Sequence, residues 1–136
     1  MHVAAAPLAL GLLLGGMGFF SFIVAPTAFR ALPPEGAAVF VRRLFPRYYL
    51  YVAAAAGIAG LGLVAREPWM SALMLGVASV ALFCRQVLTP AINRARDREL
   101  SGDAAAGRRF ALMHRASVAL NFVMFGAGLV AAVVHV

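Results

Sequence analysis

An all-α integral membrane protein, folded as a four-helix bundle, is the fold class this sequence predicts, and three observations predict it. Hydrophobic residues make up 63% of the 136 and charged residues only 12%, far from the balance of water-soluble domains. The apolar residues are gathered into four long stretches separated by short charged connections, each stretch long enough to cross a hydrocarbon core. Finally, eleven of the twelve arginines fall in the first and third connections or the span ends beside them, leaving Arg66 alone in the second. By the positive-inside rule that places both termini on the non-cytoplasmic side, with two cytoplasmic connections. The formal net charge of +7 therefore marks topology rather than nucleic-acid binding, for which no water-soluble scaffold is present.

Span one covers residues 3–25, without a charge, about 35 Å of helix. It reads as a retained helix rather than a signal peptide, since no Arg or Lys precedes it and it exceeds a signal sequence's apolar core. Gly11 and Gly15, with Gly16 and Gly18, give it a small-residue face, for which packing inside the bundle is a simpler account than a dimer interface. Pro26 should kink or end it. The first basic connection follows, with Arg30, Arg42, Arg43 and Arg47 against Glu35 alone. Pro33, Pro34 and Glu35 should start a short helix there, with apolar Val39, Phe40, Leu44 and Phe45 near one side, as in a segment lying in the membrane interface.

Span two covers residues 48–65 and enters through Tyr48, Tyr49 and Tyr51, read as interfacial anchors. Its alanines and glycines make it the slimmest helix, which suits a central place. Arg66-Glu67-Pro68-Trp69 is a tight hairpin turn, and span three covers 69–88, with Arg85 close enough to its end to snorkel. Pro90 should bend the chain as it leaves. Residues 93–100 read as a charged helical extension, Ser101-Gly102-Asp103 breaks it, and Asp103 should cap the last helix, whose span covers 112–134.

The last helix carries the best candidate site. His114, Ser117 and Asn121 fall at i, i+3 and i+7, one face of an apolar helix, and ionisable groups inside a membrane point to function. Arg108 and Arg109 lie only about 8 or 9 Å earlier along the axis, so His114 stands near the interface, and hydrogen bonding to a neighbouring helix competes with ligand binding. Arg85, Tyr48 and Tyr49 belong at the same membrane surface. Together these six residues are the candidate ligand-binding set.

Other chemistries fare worse. Cys84 is the only cysteine, so neither an intrachain disulfide nor a thiolate cluster can form. None of the five acids lies within an apolar span, and no catalytic triad or phosphate-binding glycine motif is visible, so no catalytic residue is assigned. Met113 beside His114, or Met70 with Met74, could offer soft ligands to a metal, but the two sets lie at opposite membrane surfaces, and packing is the simpler role for methionines in so apolar a chain.

The ordered set Phe19-Phe20-x-Phe22-x-x-Ala25-Pro26-x-x-Phe29-x-x-Leu32-Pro33, Leu44-Phe45-Pro46-x-Tyr48-Tyr49, Pro90-x-Ile92 and Phe110-x-x-x-His114-x-x-Ser117-x-x-x-Asn121 resembles the transmembrane-protein-205-like family along nearly the whole chain. Met113 departs from the Leu more usual there. The resemblance implies four transmembrane helices with no settled biochemical activity. It also implies a distant likeness to copper-resistance-D-like membrane proteins and to a four-helix protoporphyrinogen oxidase, and so to metal or haem handling. No cofactor is assigned. The reading that follows is a small non-hydrolytic protein, of the bacterial inner membrane, that binds or passes a small ligand, metal or hydrophobic cofactor at the cytoplasmic-side cluster. The alternatives are an accessory or assembly subunit of a larger membrane complex, and a redox enzyme acting on tetrapyrroles. Expected partners are the lipid bilayer and a second copy or a larger complex, with no nucleic acid.

Overall fold

The structure, a computed structural model, describes residues 5–135; Val3 and Ala4, the start of span one, lie outside the described residues. Four helical rods in chain order form a ring in which each packs on the next and the last returns to the first. The first rod is α1 (Ala5–Phe19), a π-helical turn (Phe20–Val24) and α2 (Ala25–Ala31). The second is α3 (Pro34–Leu63). The third joins α4 (Pro68–Phe83), a second π-turn (Cys84–Leu88) and α5 (Thr89–Leu100), and the fourth is α6 (Ala104–His135). The first, third and fourth rods are long and apolar enough to cross a membrane. In α3, tyrosines, glycines and alanines replace bulkier apolar residues. It also supplies the longest run of buried positions, so lipid-facing hydropathy is demanded least where neighbouring helices do the covering.

Helix continues through both Pro26 and Pro90, so Pro26 does not end the first helix, one of the two outcomes expected for it. Each is the second residue after a π-turn, and the turn closes with an i to i−5 bond, from Ala25 N–H to Phe20 O in one rod and from Thr89 N–H to Cys84 O in the other. Widening the ladder by one residue makes room for the proline ring and absorbs its missing donor, so the helix resumes on the far side. The two halves of the chain thus repeat one plan, a rod with a π-turn and proline followed by an uninterrupted rod, although no periodic repeat is visible in the residues. The short interfacial helix expected near Pro34 is likewise no separate element. It starts at Pro34 but continues without a break through Pro46 to Leu63.

The connections match their chemistry. At the end of α5, Asp103 N–H reaches Arg98 O (3.1 Å) and Gly102 N–H reaches Glu99 O (3.0 Å), the paired bonds of a Schellman motif, with Gly102 at φ +101. Asp103 then caps α6 as expected, its Oδ1 accepting from Ala105 (3.0 Å) and Ala106 (3.2 Å). The turn after α3 is pinned to the last described residue of α6 by His135 Nδ1 and Glu67 Oε1 at 2.8 Å.

Inside the ring, Leu13, Met17, Val52, Ala56, Ala59, Met70 and Met74 are almost wholly buried. Met70 and Met74 are therefore packing residues. Outside it, Leu8, Phe22, Leu61, Leu112, Val123 and Val133 are each more than 60% exposed, the inverse of a soluble fold and the expectation for a surface wetted by lipid. Gly16 lies under the Tyr51 ring and Gly60 under Leu75, where small residues let the rods close. Gly11 and Gly15 do not take part. They face outward with nothing within 4 Å of an added Cβ, so their packing inside the bundle is corrected.

Candidate functional site: a polar joint at the basic end

The site grows from α3 between Phe45 and Tyr49. Tyr48 and Tyr49 are consecutive, so their side chains leave the helix about 100° apart and address two neighbours. Tyr48 donates from its hydroxyl to Asn121 Oδ1 at 2.5 Å, and Asn121 Nδ2 donates to Ser21 Oγ at 3.1 Å. Tyr49 and Ser117 share a hydroxyl–hydroxyl bond of 2.9 Å. One residue set thereby ties α3 to α6 twice and ties α6 to the first π-turn, where Ser21 sits. On the other side, Arg85 Nε from the second π-turn donates to Pro46 O at 3.1 Å, and Cys84 beside it is fully buried. Both π-turns thus meet the same two turns of α3.

Aromatic rings close the joint toward the basic end. Phe20 stacks on Tyr48 with ring centroids 4.0 Å apart, and Phe45 on Tyr49 at 5.8 Å. Tyr48, Tyr49, Ser117 and Asn121 are all buried, and no buried side-chain nitrogen or oxygen among the described residues lacks a hydrogen-bond partner. Each hydroxyl and amide therefore meets another fixed dipole instead of hydrocarbon, where an unmatched group costs several kcal/mol.

Four of the six sequence-predicted residues come together here and two stand apart. Ser117 and Asn121 turn inward as the spacing implied. His114 does not: it is exposed and stacks on Phe110, ring centroids 5.8 Å apart, while Arg96 lies over the other ring at 5.4 Å. The shared face holds, but at the level of His114 no rod covers it, so the imidazole joins the exposed basic surface. Arg85 touches the joint only through a backbone carbonyl. Tyr48 and Tyr49 are not interfacial anchors, because burial against α6 offers both hydroxyls a partner. Only Tyr51 keeps a half-exposed position, with its hydroxyl bonded to Leu12 O.

Ser21 was missed by the sequence reading, and a signal for it exists. It is the only hydrogen-bonding side chain between Val3 and Pro26, an isolated hydroxyl in an apolar span. Nothing comparable announces Cys84, a small apolar-like residue until its neighbours are known. As for metal chemistry, the described residues hold no group of three or more His, Cys, Asp or Glu side chains placed to bind an ion.

Residues 8–101 match the sequence profile of a family described as a domain of unknown function, DUF4149. No curated protein and no solved structure matches the chain significantly. The matched segment brings the α3 tyrosines, Ser21 and both π-turns, while Ser117 and Asn121 come from α6, beyond its end. Since the match spans well over half of the chain and the fold is the membrane bundle its composition predicts, this protein belongs to the DUF4149 family, whose function is unknown.

Proposed function

We propose that this protein is a non-enzymatic accessory subunit of a larger assembly in the bacterial inner membrane, with its arginine-rich end in the cytoplasm. The observation that carries this reading is the outward pair Gly11 and Gly15. One turn apart, both open to the outside, and bordered by exposed Leu12 and Phe19, they form a notch in the lipid-facing surface where a helix backbone could approach closely. The satisfied joint supports the same reading, since it fixes the rods against one another and so presents that surface rigidly. Native mass spectrometry of protein released in mild detergent tests it. A second chain in stoichiometric amount is expected; a protomer carrying lipid alone would end the proposal, and a homodimer would restrict it to self-assembly.

Ligand handling at the joint is the second reading, favoured by the convergence of two π-turns on one polar cluster, since such turns often occur at functional sites. Its ligand would be a small hydrogen-bonding molecule that exchanges for the Tyr48–Asn121 and Tyr49–Ser117 bonds, with Ser21 added to the set and His114 outside it. Metal or tetrapyrrole handling rests on the resemblance to the copper-resistance-D-like proteins and the protoporphyrinogen oxidase. The same mass spectrum decides these readings by a retained ligand, metal or haem mass.

A further inference from the structure

The third rod meets α3 differently at its two ends. Near the turn that joins them, Gly60 lies under Leu75 and Ser71 Oγ bonds Gly60 O at 2.8 Å, so the two helices touch at the backbone. Toward the basic end α3 barely touches α5, and long side chains span the gap. Arg85 Nε reaches Pro46 O at 3.1 Å, and Arg42 Nη2 reaches Asp97 Oδ1 at 2.7 Å and Asn93 O at 3.0 Å. Arg42, Pro46 and Tyr49 fall at i, i+4 and i+7, so both arginine rungs and the joint share one face of α3, with the Tyr49 hydroxyl beside Cys84 at the inner end. This seam runs from the exposed Arg42 to the buried joint.

Thr89 stands between the rungs, four residues from Arg85 and four from Asn93. It is only 7% exposed, and its hydroxyl makes no hydrogen bond among the described residues. No fully shut-away side-chain oxygen among those residues lacks a partner, so the Thr89 hydroxyl keeps a point of access. Arg85 spends only Nε on Pro46 O, and its two terminal nitrogens make no hydrogen bond among the described residues. The groups along the seam are therefore donors. The carboxylate beside them, Asp97, is held by Arg42.

Beyond Pro46 toward the basic end, Arg42 makes the only hydrogen bonds that join the first two rods to the last two among the described residues. The Arg42 and Asp97 side chains are 43% and 59% exposed, so water screens the pair and it stabilises the fold little. Its release frees the outer seam, while the Tyr48–Asn121 and Tyr49–Ser117 bonds still hold the rods beneath.

We infer that this seam is the route by which a small anionic ligand enters from the basic end and reaches the joint, and that Arg42 is its latch, closed on Asp97 and Asn93. The inference rests on the ligand-handling reading and adds to it the charge of the ligand and the control of its entry. Arg85 and Thr89 offer the entering anion its donors.

The test uses the full chain in phosphatidylcholine nanodiscs and reads modification of Cys84, the only cysteine, by intact mass. Two methanethiosulfonate probes of similar size are compared, one ending in a sulfonate and one in a trimethylammonium group. Labelling of the unaltered protein should be slow. Arg42→Gln and Asp97→Asn should each speed the anionic probe about tenfold, by populating an open form, with little change in melting temperature. In the Asp97→Asn form the anionic probe should outpace the cationic one about tenfold, and adding Arg85→Gln should narrow that gap. Adding Thr89→Leu instead should restore slow labelling, since the larger side chain fills the seam. Glu67→Gln, which cuts the pin at the opposite end, should leave labelling slow. Should Arg42→Gln melt early, Asp97→Asn alone decides, with the same expectation. An anionic-probe rate unmoved by the latch changes, equal acceleration by Glu67→Gln, labelling that Thr89→Leu does not slow, or no preference for the anionic probe would overturn the inference. A ligand mass retained by a protein whose labelling ignores Arg42 and Asp97 would remove the seam and keep the ligand reading; labelling as expected with no ligand mass would remove that reading and keep the latched seam.

Discussion

The hydroxyl of Tyr48 lies 2.5 Å from the side-chain oxygen of Asn121, a bond that joins residues 73 positions apart and holds α3 against α6. Asn121 also reaches Ser21, so its loss strands the buried Tyr48 hydroxyl and the half-buried Ser21 hydroxyl at once. Asn121→Ala is expected to lower stability by about 1 to 3 kcal/mol, and Asn121→Leu combined with Tyr48→Phe by less than the sum of the two, because removing both partners leaves fewer dipoles unmatched. Thermal denaturation in mild detergent, run as a double-mutant cycle, should return a coupling of roughly 0.6 to 1.7 kcal/mol. Simple additivity would mean the bond contributes nothing.

Ser117 and His114 make a sharper comparison, since the same helix face carries both. Ser117→Ala removes the partner of the buried Tyr49 hydroxyl and should cost about 1 to 2 kcal/mol. His114→Ala touches an exposed ring against Phe110 and should stay within about 0.5 kcal/mol. Heating followed by size-exclusion chromatography distinguishes them, and equal losses would refute the division of the stripe.

Close packing of slim helices predicts opposite results at two glycines. A Cβ at Gly60 would come within 2.9 Å of Leu75 Cγ and 3.2 Å of its backbone nitrogen, and Gly60 O accepts from Ser71 Oγ at 2.8 Å. Gly60→Ala should therefore destabilise by about 1 to 3 kcal/mol through forced separation of α3 and α4. At Gly76 an added Cβ meets nothing within 4 Å, and Gly76→Ala should change stability by less than about 0.5 kcal/mol. The same melting assay measures both.

Asp103 closes two donors at the start of α6, immediately after the turn that ends α5. Asp103→Ala should cost about 1 kcal/mol and leave the spans intact. Hydrogen exchange is the measurement, with faster exchange expected at Ala105 and Ala106 and none of that change at Tyr48 or Asn121.

The sequence by itself determined the membrane fold, because the free energy of placing apolar helices in lipid is a sum over residues and does not depend on which helix packs where. The four apolar stretches, the cap at Asp103, the hairpin at Arg66 to Trp69 and the inward pair Ser117 and Asn121 all follow from such local or one-helix rules. Tertiary structure decided what needed a second helix to define. Whether Tyr48 anchors at a headgroup or bonds Asn121 depends on how deeply α6 lies beside α3, and whether Pro26 ends a helix depends on a π-turn that neighbouring rods stabilise. The same holds for Gly11, Gly16 and His114, since periodicity gives the direction of a side chain around its own axis but not the height at which a partner begins or ends.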